Sequence, residues 1–259
     1  MLAFTAPIVH KRCLTPGIFE YVLHCPEAAT QAAAGQFVHL KAPGFLLRRP
    51  ISICRIDRQA GTLTLVLEAR GAGTQALTQL GEGDILDFLG PAGKGFELLP
   101  PPAAAVIVGG GIGVPPLLEL GAHYGQHAHV FLGFRTAGAA ILAGEFAALG
   151  CRVQLATDDG SSGHHGLVTQ PLGQYLQTAQ PDILYTCGPR PMIAAVAALA
   201  AGHGVRCQVS LEEHMACGVG ACLGCACRMA KDDGGGNPVY HHVCKDGPVF
   251  EAHQVAFDR

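Results

Sequence analysis

Charged residues are scarce in this sequence, and tryptophan is absent. Only 14% of its 259 residues are charged and the formal net charge is -3, so the chain lacks the basic patch of a protein that binds nucleic acid or another polyanion. No G-x-S-x-G signature of a serine hydrolase is present either. Small molecules or other proteins are therefore the expected partners.

A continuous membrane-spanning helix is also missing. The longest uncharged run, Leu98 to Leu118, has 21 residues but contains five prolines and four glycines, which break helices. It is better explained as a linker, a buried strand, a glycine turn and the start of a helix. The apolar N-terminal patch precedes His10, Lys11 and Arg12, the reverse of the charge order in a secretory signal. We expect a cytoplasmic protein with no membrane contact.

The sequence divides into three regions, and the first, residues 1–100, has the rhythm of a small antiparallel β-barrel. Short alternating segments punctuated by glycine and proline are typical of that architecture. The predicted strands are Gln36 to Lys41, Ile51 to Ile56, Thr62 to Leu67 and Ile85 to Leu89.

Residues 101–209 alternate between short apolar strands and helix-like segments, which predicts an α/β domain with a parallel sheet covered on both faces. The predicted strands are Ala104 to Val108, Val130 to Gly133, Val153 to Ala156 and Asp182 to Thr186, and the helices are Pro115 to Tyr124, Gly144 to Leu149 and Pro191 to Ala201. Residues 210–259 are rich in glycine and cysteine with little periodicity. Something other than an apolar core must hold this last module together.

Two strand ends of the second region break at glycine in a way that suits a dinucleotide. One carries Gly109, Gly110, Gly111 and Gly113 before a proline-started helix, and the other carries Cys187, Gly188 and Pro189. Glycines let the backbone approach a diphosphate, and strand ends of a parallel sheet share one crevice. Asp158 and Asp159 end a third strand and would accept hydrogen bonds from a ribose diol, which favours NAD over NADP. A tight turn and a solvated acidic turn remain alternatives.

In the first region, Arg48 to Ile53 places two guanidinium groups and the Ser52 hydroxyl on an apolar strand. Arginine suits phosphate oxygens, and a hydroxyl can bond the edge of a flavin ring. A second glycine-rich turn, Glu68 to Thr74, offers backbone N–H groups to a diphosphate. Each segment alone also fits an ordinary surface strand or turn.

The cysteines give the most specific pattern. Cys217, Cys222 and Cys225 have the spacing C-x4-C-x2-C, and Cys244 follows after 18 residues, the arrangement of plant-type ferredoxins with a 2Fe-2S cluster. Structural zinc usually takes paired C-x2-C knuckles, so zinc is the weaker interpretation. Cys227 breaks the spacing and is interpreted as a bystander.

Sites for a flavin, a nicotinamide and an iron-sulfur centre in one chain predict an electron-transfer converter. A nicotinamide moves two electrons as hydride, a cluster passes one, and a flavin can do both. The flavin is therefore expected between the other two.

The chain resembles the electron-transfer subunit of type B dihydroorotate dehydrogenase, a member of the ferredoxin reductase superfamily. The resemblance covers essentially the whole chain and rests on these stretches: Arg49–Ser52, Gly71–Thr74, GGGIGVPPLL from 109, TDDGSSGHHG from 157, CGPRPM from 187, EEHMACGVGACLGCAC from 212 and VCKDGPVF from 243. It implies an FAD-binding barrel, an NAD domain and a C-terminal 2Fe-2S module. It further implies an FMN-containing catalytic subunit as partner, in a heterotetramer with two copies of each, and electrons passing from dihydroorotate through FMN, cluster and FAD to NAD.

The same resemblance implies the site residues. It assigns FAD contacts to Arg49, Pro50, Ile51, Ser52, Val66, Leu67, Glu68, Gly73 and Thr74, and cluster ligation to Cys217, Cys222, Cys225 and Cys244.

The sequence departs from the superfamily in two places. Ile51 stands where the superfamily usually has an aromatic residue stacking on the flavin, and Asp232 to Asn237 resembles an insertion, expected at the surface away from the irons. Similar subunits serve NAD(P)H-ferredoxin oxidoreductases and sulfhydrogenase-type complexes, which remain the nearest alternative. A zinc-binding regulatory module without redox chemistry is the remote one.

Overall fold

The computed structural model describes residues 2–257. Its N-terminal part is a closed six-stranded antiparallel barrel. Its strands run in the order β1-β2-β5-β4-β3-β6. Their bounds are β1 Leu2–Thr15, β2 Ile18–His24, β3 Phe37–Leu40, β4 Arg49–Asp57, β5 Thr62–Glu68 and β6 Ile85–Ala92, with helices α1 Pro26–Gln31 and α2 Ala72–Thr78 between them. The four strands predicted here are confirmed. The long first strand and its partner were not recognised.

The barrel is filled by alternate side chains of each strand, as the period of two requires. Strand β3 is covered on both of its faces, since all four of its residues are buried. Val38 and Leu40 belong to the barrel core, whereas Phe37 belongs to a second core shared with Cys225 and Cys244. The outer face of β3 is therefore covered by the C-terminal segment, which ties that segment to the barrel.

The chain after the barrel is built around a seven-stranded sheet with strand order β10-β9-β8-β7-β11-β12-β15. Its strands are β7 Ala105–Gly110, β8 Ala128–Phe134, β9 Arg152–Thr157, β10 His164–His165, β11 Ile183–Cys187, β12 Cys207–Ser210 and β15 Val249–Glu251. Its helices are α3 Leu118–Tyr124, α4 Ala143–Ala148, α5 Thr169–Leu176 and α6 Arg190–Gly202. The predicted alternation of strands and helices is confirmed, and short 3-10 turns precede α3.

All neighbouring strands of this sheet are parallel except the last pair. Strand β15 runs antiparallel to β12, with Val249 opposite Ser210 and Glu251 opposite Gln208. The C-terminal segment thus adds a strand to the sheet across the predicted 209/210 division. The proposed domain bounds also include residues 1, 258 and 259, which lie outside the described residues.

The rest of the C-terminal segment consists of an irregular loop after β12 and one hairpin. Strands β13 Ala226–Asp232 and β14 Pro238–His242 pair antiparallel. The hairpin tip between them, residues 233–237, is exposed throughout, as expected for an insertion at the surface. No helix among residues 2–257 is long and apolar enough to cross a membrane.

Candidate cofactor cleft and iron-sulfur loop

A cleft of about 370 Å³ opens where the barrel, the sheet domain and the C-terminal segment meet. The barrel contributes the start of β4 and the end of β5, the sheet domain contributes Ile112 and Pro115, and the segment after β12 closes the third side. The barrel residues on its wall are Phe37, Pro50, Ile51, Ser52, Val66, Glu68, Arg70 and Thr74. This volume suits the ring system of a cofactor.

Arg49, the first residue of β4, and Arg48, the residue before it, differ in their partners. Arg48 forms an ion pair with Asp87, Nη1 to Oδ1 2.8 Å. Arg49 donates only to the backbone oxygens of Leu47 and Arg48, and among residues 2–257 it has no carboxylate partner. Its guanidinium lies against Gly73, where a Cβ would occupy the same space. A cation kept free of carboxylates beside a side-chain-free turn fits a phosphate.

The turn after β5 is held by its own hydrogen bonds. The Thr74 hydroxyl accepts the backbone N–H of Gly71 at 3.1 Å and donates to the carbonyl of Gly71 at 3.0 Å. Glu68 pairs with Arg70 at 2.8 Å. The hydroxyl predicted to bind a ligand therefore also shapes the turn that presents the backbone.

Most of the residues predicted to contact FAD line the cleft, with three exceptions. Val66 lies on the wall, but the next side chain, Leu67, is buried in the barrel core, so only its backbone can face a ligand. Gly73 and Arg49 are the other two: they lie against each other, and Arg49 lines the adjoining groove together with Leu47 and Glu213.

Sequence reasoning missed the third wall, residues 210–215. Burial is the main cause that raises the pKa of the Glu212 carboxyl, and Glu68 adds to it. Their position in the sequence, immediately before the cysteine loop that starts at Cys217, could have indicated that they lie near a cofactor.

The two glycine breaks of the sheet domain meet at adjacent strands. Strand β7 pairs with β11, with Gly109 opposite Cys187. A Cβ on Gly113 would lie 2.5 Å from the Cα of Gly188, and one on Gly110 would lie 3.0 Å from Pro189. The two turns therefore pack as backbone on backbone. The Cys187 thiol beneath them is buried, which raises its pKa.

The predicted acidic pair lies farther along the same sheet edge. Strand β9, which Asp158 and Asp159 follow, stands two strands from β7, roughly 10 Å away at the usual strand spacing. The Asp159 carboxylate accepts hydrogen bonds from the Ser161 hydroxyl and backbone, and these lower its pKa. The acidic pair and the glycine turns therefore lie along one edge of the sheet.

The four cysteines with ferredoxin spacing lie in two pairs. The thiols of Cys217 and Cys222 are within hydrogen-bonding reach of each other, and so are those of Cys225 and Cys244. A 2Fe-2S cluster takes two thiolates on each iron, so this pairing fits it. No group of three or more cysteine, histidine or acidic side chains in residues 2–257 converges on one ion.

Backbone N–H groups of the loop point at these sulfur atoms. Val219 and Ala221 donate to the Cys217 sulfur at 3.4 and 3.3 Å, and Gly220 donates to the Cys244 sulfur at 3.1 Å. The donation by Val219 is the main cause that lowers the pKa of Cys217 to about 6. Gly218 and Gly220 have φ of +69° and +79°, a conformation that glycine adopts without strain.

Cys227 differs from the other four. It is fully buried in strand β13 within an apolar core, and burial raises its pKa to about 11. Its surroundings support its interpretation as a bystander.

Two family models match parts of this chain. Residues 6–96 match the family model described as the oxidoreductase FAD-binding domain, and residues 212–256 match the iron-sulfur cluster binding domain of dihydroorotate dehydrogenase B. Among solved structures, that of an NADH-dependent reduced ferredoxin-NADP oxidoreductase aligns with a TM-score of 0.86 at 26% identity, covering 97% of this chain and 90% of the other. The ferredoxin reductase of carbazole 1,9a-dioxygenase aligns at 0.65 and 22% identity, covering 79% and 66%.

Curated relatives are similar over nearly the whole length. The dihydroorotate dehydrogenase B (NAD(+)) electron transfer subunit of Geobacillus thermodenitrificans is 44% identical over 256 residues, 96% of each chain. The subunit of the same description from Enterococcus faecalis strain OG1RF is 41% identical with the same coverage. On this similarity, the chain belongs to the family of dihydroorotate dehydrogenase B electron transfer subunits.

Proposed function

We propose that this chain carries electrons between NAD and an FMN-containing catalytic subunit that oxidises dihydroorotate in pyrimidine biosynthesis. When bound, FAD and a 2Fe-2S cluster supply the conversion between hydride and single electrons. By family resemblance, the working assembly is a heterotetramer with two copies of each subunit, in the cytoplasm.

The observation that carries the proposal is the continuity of one segment. Residues 210–215 form a wall of the cleft, and the chain then turns directly into Cys217 and the iron-sulfur loop. A ring held in the cleft and a cluster held by the loop would therefore touch neighbouring parts of the same backbone. Electron exchange between two cofactors requires a short distance between them.

Each set of predicted site residues has its own role in this proposal. Arg49 would hold the FAD diphosphate at the Gly71–Thr74 turn, and the side chains of Pro50, Ile51 and Ser52 would contact the ring. In the sheet domain, the turns at Gly109–Gly113 and at Cys187–Pro189 would hold NAD, and Asp158 and Asp159 would accept hydrogen bonds from its ribose. Cys217, Cys222, Cys225 and Cys244 would ligate the cluster.

The test is co-expression with candidate catalytic subunits, followed by an assay for dihydroorotate-dependent reduction of NAD. We expect activity only from the complex, because in the proposed assembly the oxidation of dihydroorotate belongs to the FMN-containing subunit. Isolated, it should oxidise NADH with an artificial acceptor. Recovery from the source cell of a ferredoxin or hydrogenase subunit, with no FMN protein, would contradict the proposal. That outcome would favour the ferredoxin oxidoreductase alternative, which the 0.86 TM-score keeps in view.

A further inference from the structure

One buried imidazole at the junction of barrel and iron-sulfur loop has no assigned role. His39 lies in the middle of β3, opposite Pro50 on one side and Leu89 on the other. Side chains alternate along a strand, so His39 points to the same outer face as Phe37, toward the core that contains Cys225 and Cys244. Its strand neighbour Pro50 lines the cofactor cleft. The ring thus stands between the two proposed cofactor positions.

His39 is fully buried, with 0% of its surface exposed. Neither ring nitrogen makes a hydrogen bond of good geometry among residues 2–257, although a contact with the Arg48 backbone partly offsets the effect of burial on its pKa. Leaving a buried donor unpaired costs about 1–3 kcal/mol. A side chain of this kind in a well-packed core indicates that a group outside the polypeptide completes its hydrogen bonding.

The ring rests against the iron-sulfur loop itself. A Cβ on Gly218 would lie 2.5 Å from Nδ1 of His39 and 3.0 Å from its Cε1. Only glycine allows this approach at that position, where φ is +69°. Because Gly218 follows Cys217 directly, Nδ1 lies against the Cys217 end of the loop.

The ring is neutral at physiological pH. Burial and then the positive charge of Arg48 lower the pKa of His39 to about 4. A neutral imidazole has one N–H donor and one bare nitrogen. Sulfur atoms on iron are acceptors, so the donor is the useful nitrogen at this place.

We propose that His39 is a positioning residue that donates its Nδ1–H to sulfur at the Cys217 end of the bound cluster, joining the FAD barrel to the iron-sulfur loop. This inference rests on the proposed function, since it requires that the loop binds a cluster. Hydrogen bonds to the sulfurs stabilise the reduced, more negative cluster and raise its reduction potential. His39 therefore sets how readily the cluster accepts an electron, and it contacts no substrate.

The experiment compares His39→Leu, His39→Asn and His39→Gln in the purified holoprotein. The Asn amide reaches the position of Nδ1, whereas the Gln amide reaches that of Nε2. Potentiometric titration followed by EPR should show the cluster potential shifted downward in His39→Leu and His39→Gln and largely restored in His39→Asn. The FAD potential should stay unchanged in all three. A cluster potential equal to that of the parent in His39→Leu would overturn the proposal.

The matched control is His129→Leu. His129 is a partly buried imidazole whose Nδ1 is also unpartnered, but it stacks on Phe131 in the sheet domain. This substitution should leave the cluster potential unchanged. An equal downward shift in both variants would mean a general effect of losing a buried histidine and would also overturn the proposal.

A measurement on the unsubstituted protein covers the case in which the variants do not fold. In protein with 15N-labelled histidine, pulsed EPR of the reduced cluster should detect coupling to a histidine nitrogen. Absence of this coupling in a protein with a full cluster signal would contradict the role of His39 while leaving the proposed function intact. Absence of the cluster signal itself would instead contradict the proposed function.

Discussion

At the scale of single residues, the adjacent arginines Arg48 and Arg49 have different roles. Arg48 neutralises Asp87, which lies 39 positions away in the sequence. Arg49 is left for an anion beside Gly73. The sequence predicted two guanidinium groups for phosphate and could not separate them, because the partner of Arg48 is brought in by barrel closure. Spacing along the chain carries no information about such a contact.

The first prediction concerns FAD retention. Arg49→Ala should weaken FAD binding by about 10- to 100-fold, since a charge-assisted hydrogen bond contributes about 1.5–3 kcal/mol. The measurement is flavin content after dialysis, together with the dissociation constant from flavin fluorescence. Arg152→Ala is the control, because Arg152 is an exposed arginine on β9, distant from the cleft. Equal flavin retention in both variants would count against the assigned role.

The cysteines were predictable at this scale for the opposite reason. Three of the four ligands are close in sequence, and the glycines needed to wrap a cluster lie between them. The loop geometry then follows from local rules, and the structure adds the division into two pairs. His39 could not be predicted, since its place against Gly218 depends on how the barrel meets the C-terminal segment.

At the scale of elements, the strands of the barrel and of the parallel sheet were largely predictable from alternation and apolar runs. Helix α2 was interpreted as a glycine-rich turn, because two glycines near its start lower the helical signal. The three-residue strand β15 was missed as well. Its pairing with β12 is fixed by tertiary contact, and a segment that short has no period to detect.

The second prediction tests the contact between the two glycine turns of the sheet. Gly113→Ala would place a methyl group against the Gly188 backbone and force the turns apart, at a cost of about 1–3 kcal/mol. We expect the KM for NADH to rise about tenfold, with FAD and cluster content unchanged. The assay is NADH oxidation with ferricyanide.

The matched control is Gly144→Ala in helix α4. A Cβ at Gly144 would meet no atom within 4 Å, so this variant should keep the parental KM. An unchanged KM in Gly113→Ala would show that the two turns do not bind the nicotinamide nucleotide together.

At the scale of the whole molecule, the modules should be separable in function. Cys222→Ser is expected to remove the cluster but leave NADH reduction of FAD largely intact, because hydride transfer needs only the barrel and the sheet domain. EPR and visible absorption report the cluster, and stopped-flow flavin bleaching reports hydride transfer. Cys13→Ser, at another exposed cysteine, should change neither. Loss of both activities in Cys222→Ser would show that the modules depend on each other.

The surface around the iron-sulfur loop indicates where the catalytic subunit docks. Leu46 is 97% exposed and Leu223 is 66% exposed, and their neighbours Leu47 and Gly224 line one groove between the barrel and the loop. Exposed leucines of this kind mark interaction sites when they cluster. Cys222 is exposed beside them, so a partner seated here would lie next to the cluster ligands.

The last prediction is that substitutions on this surface weaken assembly without affecting the chain itself. Leu46→Ser with Leu223→Asn should lower the affinity for the catalytic subunit by at least about tenfold, since each buried leucine contributes about 1.5–3 kcal/mol. Asparagine is chosen at position 223 because Leu223 has φ of 59°, a conformation that asparagine tolerates. Leu167→Ser removes a leucine that is 63% exposed in the sheet domain and serves as the control. Titration calorimetry measures the affinity, and NADH oxidation by the isolated chain should be the same in all variants. Parental affinity in the double variant would place the partner on another face, and one-electron exchange would then have to leave the cluster by a different route.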